Sequence, residues 1–221
     1  MKLLVNALTK FLLGLVLLGA LIFLPAGTFD YLGGWIFMAA LFIPVLIMGG
    51  VLFIKAPTLL EKRLKNKEKE KEQKSVVALS GLVFIGGFVV SGLDFRFGWS
   101  NMPRAVMIIS ALVFVFGYAL FGEVMRENAY LSRIVEVQAG QKVIDSGLYG
   151  IVRHPMYMST VLMFLAMPLI LGSWYAFILF CVHPFLLASR IKNEEKILTE
   201  GLSGYSEYKQ KVKYRMIPFI W

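Results

Sequence analysis

The chain has 221 residues, 58% of them hydrophobic and 17% charged, with a net charge of +9 and a mean hydropathy of +0.71. Soluble domains carry only about 45–50% apolar residues, so this composition excludes a soluble fold and points to an all-α, multi-pass integral membrane protein. The single cysteine, Cys181, rules out an intramolecular disulfide, and no Cys or His pair has zinc-ligand spacing, so no metal is expected.

A bilayer span needs about 20 apolar residues, and four candidates occur in the first half of the chain, at 7–24, 33–54, 76–93 and 105–122. Lys2 and Lys10 ahead of the first run resemble the start of a secretory signal. Further spans follow it, so the expectation is a retained signal-anchor. Residues 61–74 alternate Glu and Lys and predict a solvated helix or loop. Small residues at Gly87 and Ser91, and at Gly117 and Gly122, permit close contact between helices. Residues 1–122 thus read as a four-helix membrane scaffold.

Residues 123–155 carry Glu123, Arg126, Glu127, Arg133, Glu136, Lys142, Asp145 and Arg153, too many charges for a span. Within them 134–137 and 142–144 are short semi-apolar pieces, and Asp145, Ser146 and Gly147 read as a turn. The next 34 residues, 156–189, contain no Asp, Glu, Lys or Arg. As one straight helix they would reach about 51 Å, against a hydrocarbon core of about 30 Å. A break is therefore predicted at Gly172 and Ser173, just after Pro168, giving a hairpin of 156–171 and 174–189. Counting its two arms gives about six membrane segments.

Residues 190–215 are helical in composition and basic. Tyr205, Tyr208, Val212 and Ile217 are expected to rest on the membrane surface, and Pro218, Phe219, Ile220 and Trp221 read as an interfacial anchor. A cytosolic cap built from 123–155 and 190–221 and lying on the hairpin is the compact arrangement. Residues 1–221 then form one membrane domain, with 123–221 as its catalytic region.

Six spans put every Lys and Arg except Arg96 and Arg104 on one side. The positive-inside rule makes that side cytoplasmic, together with both termini and both polar clusters. A prokaryotic cytoplasmic membrane is the expected location. The positive face suits anionic headgroups of membrane lipids and does not call for nucleic acid.

The chemistry-bearing residues flank the hairpin. There is no G-x-G-x-x-G turn, no P-loop and no nucleophile elbow. Arg153, His154, Pro155, Met156 and Tyr157 crowd the entrance, and Pro155 restricts the backbone of His154 before a helix begins. Tyr149 and Tyr157 flank that histidine, and aromatic faces attract cations within about 6 Å. Beyond the hairpin, Arg190 and Glu194 share a helix face. Taken singly, His154 reads equally well as an interfacial histidine, and Arg190 with Glu194 as a surface ion pair. His183 reads as a core residue, and Met156, Met158, Met163 and Met167 as packing.

Gly147, Leu148 and Tyr149, followed by Val152 through Tyr157, resemble the G-x-Y…R-H-P-x-Y signature of the isoprenylcysteine carboxyl methyltransferase family. Arg190 to Glu195 is similar to that family's Arg-x-x-x-Glu-Glu. Gly204 to Tyr208, with Arg215 to Pro218, is similar to its closing motif. The resemblance covers about residues 135–221 and implies an integral membrane enzyme that uses S-adenosyl-L-methionine, releases S-adenosyl-L-homocysteine and has no Rossmann domain. By motif position it places Gln141, Lys142, Val143, Ile144, Tyr149, His154, Pro155, Met156, Tyr157 and Glu194 around the cofactor. Gln141 stands where the family has a histidine. Arg190 falls on the arginine assigned to the substrate and is the expected catalytic residue. The implied acceptor is a lipophilic carboxylate or lipid entering from the membrane, with O-methylation favoured over N-methylation because a carboxylate needs no base.

Two other readings stand beside this one. The R-H-P-x-Y motif is shared with sterol reductases that use NADPH, although those read Asn after the proline and Gly-Asp or Gly-Glu after the tyrosine, where this chain has Met156, Met158 and Ser159. The other is a non-catalytic membrane protein that keeps a relic pocket.

Overall fold

The computed structural model describes residues 2–64, 71–131 and 137–221, and at 71–74 the backbone only. The described residues are helical, with turns and extended connections and no strand among them. The charged pieces at 65–70 and 132–136, including most of the expected 134–137 segment, lie outside the described residues.

Helices α1 (Lys2–Ala26) and α2 (Leu32–Lys55) are followed by a short α3 (Pro57–Leu64). Then come α4 (Lys71–Phe97) and α5 (Arg104–Glu127). Five helical stretches are long and apolar enough to cross a bilayer: Lys2–Ala26, Leu32–Lys55, Ser75–Phe97, Arg104–Glu127 and Trp174–Gly201, while Pro155–Ile170 is a shorter apolar helix. The chain is a multi-pass membrane protein.

The hairpin breaks where the apolar length demands it. Helix α6 (Pro155–Ile170) ends at Gly172, whose φ of +78° suits a residue without a Cβ. Ser173 then caps α7 (Trp174–Phe180), its hydroxyl accepting from the Ala176 amide at 3.0 Å. A one-turn interruption leads into α8 (His183–Gly201), and α9 (Tyr205–Lys211) follows.

The turn of the hairpin is tied to the scaffold by polar groups buried at that end of the bundle. Asp94 in α4 is buried and accepts from the Ser100 amide at 2.6 Å, the Ser100 hydroxyl at 2.7 Å and the Ser173 hydroxyl at 2.5 Å. The Tyr31 hydroxyl reaches the Leu171 carbonyl at 2.5 Å. Such pairing is obligatory here, because an unpartnered carboxylate or carbonyl within hydrocarbon is costly.

Close packing does the rest. Phe37, Phe88, Phe114 and Phe180 lie in one core with Met163, Met167 and Ile170. A Cβ on Gly87 would collide with the Phe180 ring, and one on Gly117 would come within 3.0 Å of Met163 Cγ. The small residues thus admit a neighbouring side chain. His183 is enclosed by rings, 4.7 Å from Phe84 and 4.7 Å from Phe164 between centroids, in keeping with a core residue.

One expectation fails in the cap. Tyr205, Tyr208 and Val212 are buried together against Val143, Leu198 and Leu202, and so do not rest on a lipid surface. Their apolar face is covered by protein because the segment before Tyr149 folds under α9.

Candidate active site

Three segments converge at the start of α6. The first is the turn into Tyr149. Gly147 adopts φ +57°, and a Cβ there would collide with Glu127, whose carboxylate accepts from the Leu148 amide at 3.0 Å. Only glycine combines that backbone angle with so close an approach. Tyr149 is then held at two points: its hydroxyl accepts from Asn128 Nδ2 at 2.9 Å, and its carbonyl accepts from the Tyr208 hydroxyl at 2.7 Å.

The second segment is the Arg153–His154 step, which pairs with the C-terminal tail. The Arg153 amide donates to the Tyr214 carbonyl at 2.9 Å, and the His154 amide to the Arg215 carbonyl at 2.7 Å. Pro155 occupies the first position of α6, where a missing amide hydrogen costs nothing.

The third is α8, whose adjacent glutamates point to different partners. Glu195 is buried beneath the cleft. Its Oε1 accepts from Arg153 Nε at 2.7 Å and contacts His154 Nε2 at 3.3 Å, and its Oε2 accepts from Arg215 Nε at 3.0 Å. Arg153 also donates from Nη1 to the carbonyls of Val212, at 2.6 Å, and Lys213, at 2.9 Å. One carboxylate therefore joins α8, the histidine turn and the tail. In its neutral form His154 would donate to that carboxylate from Nε2, with Nδ1 then the acceptor.

Glu194 belongs to the cleft itself. The Tyr157 hydroxyl donates to its Oε2 at 2.6 Å and accepts from Arg190 Nε at 2.8 Å. Arg190 and Glu194 share a helix face as their spacing predicts, and Tyr157 bridges them.

The cleft so formed has about 830 Å³ of empty space, counted to its solvent mouth. Gln141, Lys142, Val143 and Ile144 line one side. Tyr149, His154, Met156 and Tyr157 line it at the start of α6, and Arg190 and Glu194 face them from α8. Of the expected site residues, Pro155 alone does not line the cleft. It is buried and positions its neighbours.

Reading the sequence by itself missed Glu195 as the ionic hub and Tyr205 as part of the wall. Tyr205 lines the cleft, is 3% exposed, and its hydroxyl has no hydrogen-bond partner among the described residues. Burial pushes its pKa well above the ordinary tyrosine value, and Glu195 and Glu194 add to the effect, so the hydroxyl stays protonated. The signal for Glu195 was its place beside Glu194. For Tyr205 it was the closing motif.

The isoprenylcysteine carboxyl methyltransferase (ICMT) family model matches residues 107–200, a range that holds α6, α7, all but the last residue of α8 and every expected cleft residue from Gln141 to Glu194. The match covers less than half of the chain, and this segment is similar to that family. Tyr205, Tyr208 and Arg215 lie beyond the matched residues. The chain is also 28% identical over 135 residues to the Delta(14)-sterol reductase TM7SF2 of Mus musculus, covering 55% of this chain and 32% of that relative. It therefore spans about a third of the relative's length.

Proposed function

We propose that the protein is a membrane methyltransferase that binds S-adenosylmethionine in the cleft between α6, α8 and the cap and methylates a lipophilic carboxylate or lipid. The observation that carries this reading is the polar set of the cleft: an orphaned, protonated Tyr205 hydroxyl, a carboxylate at Glu194 and paired tyrosine rings in one enclosure. The donor methionine moiety and ribose offer an ammonium, a carboxylate and hydroxyls, which match those groups in kind. Bound there, S-adenosylmethionine supplies an electrophilic methyl carbon on a sulfonium whose departure as a neutral thioether leaves charge cancelled on both sides.

The chain's own residues do the positioning. Tyr149 and Tyr157 have their hydroxyls engaged by Asn128, Arg190 and Glu194, which fixes the rings so that their faces can stabilise a cation. His154, with Nε2 committed to Glu195, offers Nδ1 to a ligand hydroxyl or ammonium. Arg190 holds the acceptor anion next to Tyr157. A carboxylate acceptor is already deprotonated, so orientation in a water-poor site accounts for most of the rate. Both termini and the cleft face the cytoplasm, following the basic residues.

A second reading, reduction with NADPH, is favoured by the likeness to the sterol reductase. The charge of the cleft argues against it. Among the described residues Lys142 and Arg190 are the Lys and Arg that line it and Glu194 opposes them, whereas a dinucleotide with a ribose phosphate brings several negative charges that call for an arginine-rich site. Isothermal titration of the detergent-solubilised protein with S-adenosylhomocysteine and with NADPH separates the two. Binding of the first and not the second is expected; the reverse sinks the proposal. Lipid mass spectrometry of cells with and without the gene would then identify an acceptor heavier by one methylene.

A further inference from the structure

The residues after α9 do more than hold the histidine turn. The Met216 and Ile217 amides both donate to the Trp221 carbonyl, at 2.9 and 3.0 Å, and the Trp221 amide donates to the Ile217 carbonyl at 3.0 Å. These bonds close 216–221 into a small loop. At its tip Phe219 takes φ +65°, a left-handed backbone that residues other than glycine rarely adopt. Such strain persists only where the surrounding structure enforces it. Phe219 and Ile220 stand 84% and 78% exposed, whereas Met216 is buried. In water that pair of apolar side chains would be unfavourably hydrated.

The loop sits where the apolar stretch of α8 ends. Trp221 packs against the cluster of Leu187, Ile191 and Met216, and the uncharged run of 156–189 stops just before Arg190. One and five residues past Ile191 come Lys192 and Lys196, roughly 1.5 and 7.5 Å further along the helix. They line a recess of about 550 Å³ with Glu200, Lys209 and Arg215. Glu195 also lines it and is already paired with Arg153 and Arg215. Lys209 donates to Thr199 Oγ1 at 3.4 Å. Lys192, Lys196 and Lys209 form no ion pair among the described residues, which leaves Glu200 as the carboxylate opposing three ammonium groups.

Arg215 connects this surface to the cleft. Its guanidinium lies 5.3 Å from the Trp221 ring centroid while its Nε holds Glu195, and its carbonyl accepts the His154 amide. Whatever fixes the loop therefore also bears on the histidine turn.

We propose that the 216–221 loop and the basic recess dock on an anionic bilayer surface. Phe219 and Ile220 enter the interface, the recess takes the phosphate of an anionic phospholipid, and the docked tail steadies the histidine turn. Three observations select a membrane over a soluble partner. The loop lies at the level where α8 passes from apolar to charged. Its exposed pair is apolar and aromatic, as side chains at the lipid interface are. The ammonium groups beside it attract anionic headgroups, each lysine by about fivefold. Docking is independent of what the cleft binds; its effect on the cleft rests on the methyltransferase reading.

The test places one nitroxide on the loop, at Ile220→Cys in a Cys181→Ser background, in nanodiscs of phosphatidylcholine with or without phosphatidylglycerol. With phosphatidylglycerol the label is expected to collide with oxygen and to be shielded from an aqueous nickel chelate. In unlabelled protein, S-adenosylhomocysteine should bind about fivefold more tightly when phosphatidylglycerol is present, the low end of coupling between linked sites. Lys192→Gln combined with Lys196→Gln should abolish that gain and leave affinity in pure phosphatidylcholine unchanged. A label open to nickel in both lipids overturns the docking, and dipolar broadening between labels would put a second copy of the chain there instead. A gain in affinity reproduced by glycerol phosphate in solution makes the recess a soluble-anion site and also overturns it. Equal affinity in both lipids overturns the link to the histidine turn. A shielded label in a protein that binds no S-adenosylhomocysteine in either lipid overturns the methyltransferase reading, while the docking stands.

Discussion

Arg153 Nε and Glu195 Oε1 meet at 2.7 Å although the two residues are 42 positions apart, with a membrane hairpin between them. Both side chains are buried, at 6% and 4% exposure. A buried ion pair adds little net stability by itself, but losing one partner leaves the other charge stranded. Here the stranded group would be Arg153, which also holds the tail through Val212 and Lys213. Glu195→Ala is therefore expected to destabilise the protein by about 3–5 kcal/mol, read as a lower unfolding temperature in detergent. Glu195→Gln, which keeps an acceptor, should fall between the two. Equal stability of all three proteins would contradict the hub.

Tyr157 carries the contact between Arg190 and Glu194, so Tyr157→Phe separates bridging from packing. The ring remains and its core neighbours Leu187, Ile191 and Met216 are undisturbed. Hydrogen bonds to charged groups are worth about 1.5–3 kcal/mol, so the unfolding temperature should fall, and methyl transfer below it should drop by roughly ten- to a hundredfold as Arg190 and Glu194 lose their bridge. A rate within twofold of wild type would remove Tyr157 from the machinery.

Much of this was legible in the sequence, for reasons that can be named. The hairpin break at Gly172 follows from an uncharged run too long for one span, and α6 begins at Pro155 because proline suits that position. The convergence of Gln141 to Ile144, His154 and Glu194 was legible through motif likeness and not through spacing. Three things were hidden. Neighbouring helical residues point about 100° apart, so nothing in the Glu194-Glu195 pair tells which one faces the cleft and which the buried arginines. An apolar stripe such as Tyr205, Tyr208 and Val212 reads the same whether lipid or protein covers it. Helix α3 was lost in the charged run that follows it, because its buried Leu59 and Leu60 are only a short patch.

The unpartnered Tyr205 hydroxyl makes a prediction of opposite sign for stability and for binding. A buried hydroxyl without a partner costs free energy in the ligand-free protein, so Tyr205→Phe should leave the unfolding temperature unchanged or raise it. If the hydroxyl donates to the bound nucleoside, affinity for S-adenosylhomocysteine should drop about tenfold. A purely structural tyrosine would give the reverse pattern, with lower stability and unaltered affinity. Thermal unfolding with and without ligand measures both at once.

Asp94 provides the control at the other end of the bundle. Helix α6 has 16 residues, which at about 1.5 Å per residue sets the hairpin turn roughly 24 Å from the histidine turn. Asp94→Ala removes the acceptor for the Ser100 amide, the Ser100 hydroxyl and the Ser173 hydroxyl. Each buried donor left unsatisfied costs about 1–3 kcal/mol, so a clear fall in unfolding temperature is expected. The cleft does not touch this cluster, and α6 connects the two as a rigid rod whose start is held separately by Glu195 and the tail. Affinity for S-adenosylhomocysteine below the unfolding range should therefore stay within about twofold of wild type, inside the normal spread for distant, independent sites. Loss of binding in a folded Asp94→Ala protein would mean that the hairpin turn sets the position of Tyr157, and that the lock at the far end belongs to the function as well as to the fold.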